Sequence, residues 1–188
     1  MNRLHRWLCR SDGWRRTVLE RVPWVLGNSD LGNDVLEVGP GPGLTTELIR
    51  LRTQRLTALE IDSKLAESLR ERLGNTNVSI ITGDGTAMPF PDERFSGAVS
   101  FTMLHHVPSV ELQNRLLREV RRVLKPGGIF AGSDSLQSFM MRLIHIGDTL
   151  VPVHPETFGS RLEAAGFEVL AIEKNSQAFR FQARRSLQ

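Results

Sequence analysis

Residues 34–49 read D-V-L-E-V-G-P-G-P-G-L-T-T-E-L-I, and no other stretch of the 188-residue chain restricts the fold as much. An apolar run (Val35, Leu36, Val38) stops at three glycines within five positions. Apolar residues at helical spacing (Leu44, Leu48, Ile49) follow at once. The spacing predicts a strand, a tight turn and a helix, which is how a parallel α/β sheet begins. Gly39, Gly41 and Gly43 can take positive φ without steric cost and let another molecule approach the backbone closely. The N–H groups of the new helix face the same space. The turn therefore suits a nucleotide-like ligand, with a ligand-free tight turn as the alternative.

Glu37 narrows the choice of ligand. It stands two positions before Gly39, where a carboxylate repels a pyrophosphate and attracts an ammonium or sulfonium. The spacing is G-x-G-x-G, whereas dinucleotide sites use G-x-G-x-x-G. Pro42 has no N–H to give a phosphate and suits the first turn of a helix. S-adenosylmethionine carries both cations, an adenosine and no phosphate, so it is the expected cofactor.

After residue 34, strand and helix patterns alternate, which argues for a parallel sheet covered on both faces. Residues 55–61 and 77–82 read as the second and third strands, with a helix between them that Ser63 can cap and Gly74 ends. Residues 95–101 form a fourth strand, and a helix from Ser109 runs to the breaker Lys125-Pro126-Gly127-Gly128. Residues 128–133 are a fifth strand. A last helix starts at His154-Pro155 and ends at Gly166, and 167–173 with 177–183 form an antiparallel hairpin. Residues 1–26 read as helical. The whole is one domain: an N-terminal segment (1–33), a core (34–134), an insertion (135–154) and a closing unit (155–188).

Ligands of open α/β sheets sit beyond the carboxyl ends of the strands. Acids gather there in this sequence: Glu37, Glu60 and Asp84. Glu60 lies 21 residues after Gly39, the spacing of an acid that accepts ribose hydroxyls; Asp62 is its rival, and Ile61 is expected to point into a core layer. Asp84, followed by Gly85 and Thr86, can accept from an adenine amine or simply shape a turn. Phe101 ends the fourth strand. His105 and His106 follow it, expected to point in different directions, and one of them can serve as a base or line the acceptor pocket. No C-x-x-C or H-E-x-x-H accompanies them, so no metal site is expected. Phe139, Met140, Met141, Leu143 and Ile144 suggest an apolar acceptor or a core-facing helix.

Charge is uneven along the chain. Residues 1–21 carry six arginines against Asp12 and Glu20, and residues 174–188 carry Lys174, Arg180, Arg184 and Arg185 without an acid, while the overall charge is only +3. Basic ends can meet nucleic acid, but solvated tails are the reading adopted, and nucleic acid is not expected as a partner. One cysteine, Cys9, excludes an internal disulfide. No run approaches the ~20 apolar residues of a membrane span, and the start M-N-R-L-H-R-W-L-C-R has no apolar signal segment. A cytoplasmic monomer or homodimer is expected.

The ordered segments L-E-V-G-P-G-P-G, A-L-E-I-D, G-D-G-T-A-M-P-F-P-D-E-R-F-S, L-H-H-V and E-V-R-R-V-L-K-P-G-G resemble the class I S-adenosylmethionine-dependent methyltransferases. The small-molecule, quinone-biosynthesis-like group is the most similar. The resemblance implies a Rossmann-like, doubly wound seven-stranded sheet of order 3-2-1-4-5-7-6, with strand 7 antiparallel. It implies that Glu37 and Gly39 hold the methionine end and that Gly41 and Gly43 let the cofactor lie on the turn. By the same resemblance Glu60 takes the ribose, Ile61 packs on adenine, Asp84 meets adenine N6 beside Gly85 and Thr86, and the Phe101 carbonyl meets the ammonium. Its acceptor pocket would form from the N-terminal helix and residues 135–154. Ser96 replaces an Asp usual in the family, with little effect expected. The first half also resembles ribosomal-RNA adenine dimethylases, but F-T-M-L-H-H stands where those carry N-[LI]-P-[YF]. The expected reaction is methylation of a small, apolar metabolite by direct displacement, with an RNA or protein acceptor steered by the basic termini as the alternative.

Overall fold

A computed structural model describes residues 11–187. Seven strands form one sheet: β1 (Asp34–Val38), β2 (Arg55–Glu60), β3 (Val78–Thr82), β4 (Phe95–Phe101), β5 (Leu124–Ser135), β6 (Phe167–Lys174) and β7 (Ala178–Arg185). Their order is β3-β2-β1-β4-β5-β7-β6. The first five are mutually parallel, and β7 runs antiparallel to both β5 and β6. Both the order and the reversed strand are those the resemblance implies.

β1 lies in the middle of the sheet and is buried along its whole length, as a strand covered on both faces must be. Alternate side chains enter different layers. Val35 packs with Val18, Val22 and Val25 of α1 (Asp12–Leu26), Ile49 of α2 (Leu44–Ile49) and Leu69 of α3 (Ser63–Leu73). Leu36 and Val38 pack with Leu116, Leu117 and Val120 of α4 (Val110–Val123) and with Phe158 and Leu162 of α6 (Pro155–Ala164). A short helix, α5 (Phe139–Ile144), lies in the insertion. None of the described helices is long and apolar enough to cross a membrane.

Several sequence expectations need correction. Asp62, not Ser63, caps α3: its carboxylate accepts the N–H groups of Lys64 and Leu65 at 2.9 and 3.2 Å. Pro42 lies before the helix, because Gly43 at φ 88° is the cap of α2. β5 starts at Leu124, so Lys125–Gly128 is an irregularity within a strand: Phe95 pairs with Leu124, and Gly97 already with Ile129. The C-terminal cations are not a solvated tail. Arg180 pairs with Glu173 at 2.7 Å, and Arg185 is buried, pairing with Glu93 at 2.8 Å and donating to the carbonyl of Leu124. The hairpin that carries them fixes them in the sheet. The N-terminal helix is seen from Asp12, capped by Ser11; Cys9 and the first arginines lie outside the described residues. Ser96 proves useful, since its hydroxyl accepts the Asp34 N–H at 2.9 Å and stitches β4 to the start of β1.

Candidate cofactor and acceptor site

A cavity of about 420 Å³ opens at the carboxyl ends of β1, β2, β3 and β4. Gly39, Pro40 and Gly41 form one wall, Glu60, Ile61 and Asp62 a second, and Asp84, Gly85 and Thr86 a third. Trp14, Val18, Arg21 and Val22 of α1 close it from above, and Phe101, Thr102, Met103 and His106 continue it beyond β4. The volume falls within the ~300–1,000 Å³ of small-molecule sites. Gly41 has φ 54°, and a side chain there would meet nothing within 4 Å. The bare backbone thus faces open space, as a closely seated ligand requires. Gly39 differs: a Cβ would stand 2.2 Å from Met103 Cγ, so its smallness serves packing.

The acids divide by environment. Glu60 is buried and accepts the N–H of Gly41 and of Asp62, each at 2.9 Å. Those bonds fix its carboxylate at the cavity wall and leave further lone pairs. Burial pushes its pKa up, against the hydrogen bonds that lower it. Asp84 is exposed and accepts the Thr86 N–H at 2.7 Å, so it shapes its turn while lining the cavity. Glu37 does not line the cavity. It is 1% exposed, under Thr45, whose hydroxyl donates to Oε1, and its Oε2 is buried without a hydrogen-bond partner. Burial pushes its pKa up to about 7, with the Thr45 hydrogen bond opposing and the Glu60 charge adding.

Beyond β4 the backbone tightens. Thr102 sits at φ 54°, a costly conformation for a β-branched residue and one that clusters at functional sites. Its hydroxyl accepts from Arg21 at 3.2 Å. Burial lowers the Arg21 pKa, opposed by the nearby Asp134 charge. His105 and His106 follow on a single 3₁₀ turn, so they do not diverge as expected. Their ring centroids are 4.3 Å apart, and each lies 5.1 Å from the ring of His145. His105 is buried, with Nδ1 2.5 Å from Asp134 Oδ1 at the end of β5. His145 Nδ1 lies 2.7 Å from the Met141 carbonyl, and burial lowers its pKa. The insertion is tied down over this group: Val151 N–H donates to the His105 carbonyl at 2.8 Å, and Gln113 Nε2 bridges the carbonyls of Leu104 and Val151.

The cavity thus gathers Gly39, Pro40, Gly41, Glu60, Ile61, Asp84, Gly85, Thr86, Phe101 and His106 along its lining. Glu37, Gly43 and His105 stand behind it. Ile61 is 70% exposed at its edge rather than in a core layer. In the insertion, Phe139 and Leu143 are exposed and Met141 is buried; among the described insertion residues, Asp148 and Thr149 reach the cavity. Arg21, Thr45 and Thr102 carry no sequence motif that singles them out. The Asp134–His105 pair joins two strand ends that only the parallel register of β4 with β5 brings together.

Residues 36–132 match the family model described as a methyltransferase domain. The chain is 33% identical over 159 residues to a sterol 24-C-methyltransferase of Gibberella zeae, covering 76% of this chain and 41% of that protein. It is 44% identical over 70 residues to an rRNA adenine N-6-methyltransferase of Saccharopolyspora erythraea, covering 36% of this chain and 18% of that one. The chain thus spans less than half the length of these curated relatives. Among solved structures, the N-methyltransferase NodS of Bradyrhizobium japonicum, in complex with S-adenosyl-l-homocysteine, superposes with a TM-score of 0.74 at 17% identity, covering 95% of this chain and 91% of that one. The sequence matches and the sheet order agree, and the chain belongs to the class I S-adenosylmethionine-dependent methyltransferase family.

Proposed function

We propose that this chain methylates a small, apolar metabolite, with S-adenosylmethionine as the methyl donor. The observation that carries the reading is the pairing of a bare Gly41 backbone with the buried, backbone-fixed Glu60 on one cavity. In this reading Glu60 takes the ribose hydroxyls, Ile61 covers one adenine face, and Asp84 accepts from adenine N6. Glu37, behind Thr45, supplies negative charge to the methionine end. The donor brings a methyl group on a sulfonium, already activated for displacement. The residues of this chain therefore have to align the acceptor and keep water out. Trp14, Val18 and Val22 give that end of the cavity an apolar wall. An acceptor that loses a proton needs a partner for it, and among the described residues His106 is the imidazole on the cavity lining. The sterol-methylating relative supports an apolar acceptor.

The rRNA-methylating relative favours a second reading, an RNA acceptor. The engagement of Arg180 and Arg185 within the hairpin weighs against it, since those cations are already paired. Radiolabelled methyl transfer separates the two. The protein is offered sterol and fatty-acid pools beside a ribosomal-RNA fragment. Label in the organic extract is the expected result, and label in the RNA alone would overturn the small-molecule assignment.

A further inference from the structure

The geometry points to a metal site: we propose that His105, His106 and His145 bind one divalent transition-metal ion of the zinc class, with Asp134 orienting His105 from behind. The ligand nitrogens of the three histidines lie within 4.8 Å of one another. Nitrogens ~2.0–2.1 Å from a tetrahedral zinc stand roughly 3.4 Å apart, so a closure of at most about 1.4 Å from the 4.8 Å spread completes the set.

Two of the imidazoles already have the required tautomer. His105 gives its Nδ1 proton to Asp134 at 2.5 Å, leaving the lone pair on Nε2, which is buried and has no hydrogen-bond partner. A buried, unmatched acceptor calls for a ligand, and a carboxylate behind a histidine is the arrangement that orients metal-binding imidazoles. His145 gives its Nδ1 proton to the Met141 carbonyl at 2.7 Å, so its Nε2 also carries the lone pair. Three imidazoles without a carboxylate select zinc, cobalt, nickel or copper over magnesium or calcium. His106 lines the cavity, so the ion is reached from there and a fourth position opens toward it. The proposal does not depend on the methyl-transfer reading, and with the ion bound His106 gives its lone pair to the metal and no longer serves as the proton acceptor.

The test uses tag-free protein, stripped with a chelator and titrated with Co²⁺. One equivalent per chain, with visible bands of a four-coordinate nitrogen site that Zn²⁺ displaces, is the expected result. His145→Gln should weaken uptake at least tenfold, and Asp134→Asn by ~10–100-fold, while His154→Gln, outside the cluster, leaves it unchanged. Absence of saturable uptake by the wild type overturns the proposal, and that result requires no variant to fold. Undiminished uptake by a His145→Gln protein with native circular dichroism overturns it equally. Stabilisation by S-adenosylmethionine, measured on the same stripped sample, reports separately on the cofactor reading.

Discussion

Replacing Glu37 by Gln should change how stability depends on pH. In the folded chain this carboxyl is buried and titrates near 7, against an ordinary value of 4.5. The folded state therefore binds its proton more tightly than the unfolded state does. The resulting stabilisation is complete below pH 4.5 and is lost as pH rises through about 7. At 1.36 kcal/mol per pH unit that span is worth ~3 kcal/mol. Glutamine keeps the shape and does not titrate. Between pH 5 and 8 the ligand-free variant should therefore gain about 2–3 kcal/mol on the wild type. With a urea slope of ~2 kcal/mol per molar, the difference between their midpoints moves by roughly 1–1.5 M. A cationic ligand beside Thr45 favours the ionised carboxyl, so its affinity should rise with pH through the same window in the wild type only. Urea midpoints that keep a constant separation from pH 5 to 8 would refute the burial argument.

Three further outcomes follow from the same geometry. Glu60→Ala and Asp84→Ala should each weaken S-adenosylmethionine binding on the order of tenfold, about 1.4 kcal/mol, in calorimetry; unchanged affinity in both removes them from the cofactor site. Arg185→Ala leaves the Leu124 carbonyl without its buried donor and should cost about 1–3 kcal/mol. In a chain of this size that lowers Tm by several degrees, and a shift under about 1 °C would show that the contact is dispensable. His106→Gln should reduce turnover much more than cofactor affinity, and an equal loss of both assigns His106 to the fold.

The order of elements was legible because period and punctuation agree here. The Val35–Val38 run, the glycines after it and the stripes of α3 and α4 all carry their own signals, and the strands fall within a few residues of their expected places. Misplaced boundaries came from local competition. Asp62 outbid Ser63 for the helix cap because its carboxylate reaches two N–H groups. Lys125–Gly128 stopped a helix, as its composition says, yet strand pairing resumed on both sides of it. Charge was least legible: Arg184 and Arg185 read as a tail until pairing with β5 and β6 placed them in a sheet. At the site, the glycine turn, Glu60 and Asp84 could be found from spacing alone. The convergence of His145 and Asp134 on His105 could not, because it joins residues 29 and 40 positions away through tertiary structure.

Calorimetric titration of the ligand-free protein decides whether the cavity is a cofactor site. The cavity beside Glu60 should take up one S-adenosylmethionine per chain, and S-adenosylhomocysteine likewise, each raising Tm by mass action. NAD should produce neither heat nor stabilisation. Saturable binding of NAD with none of S-adenosylmethionine would contradict the account.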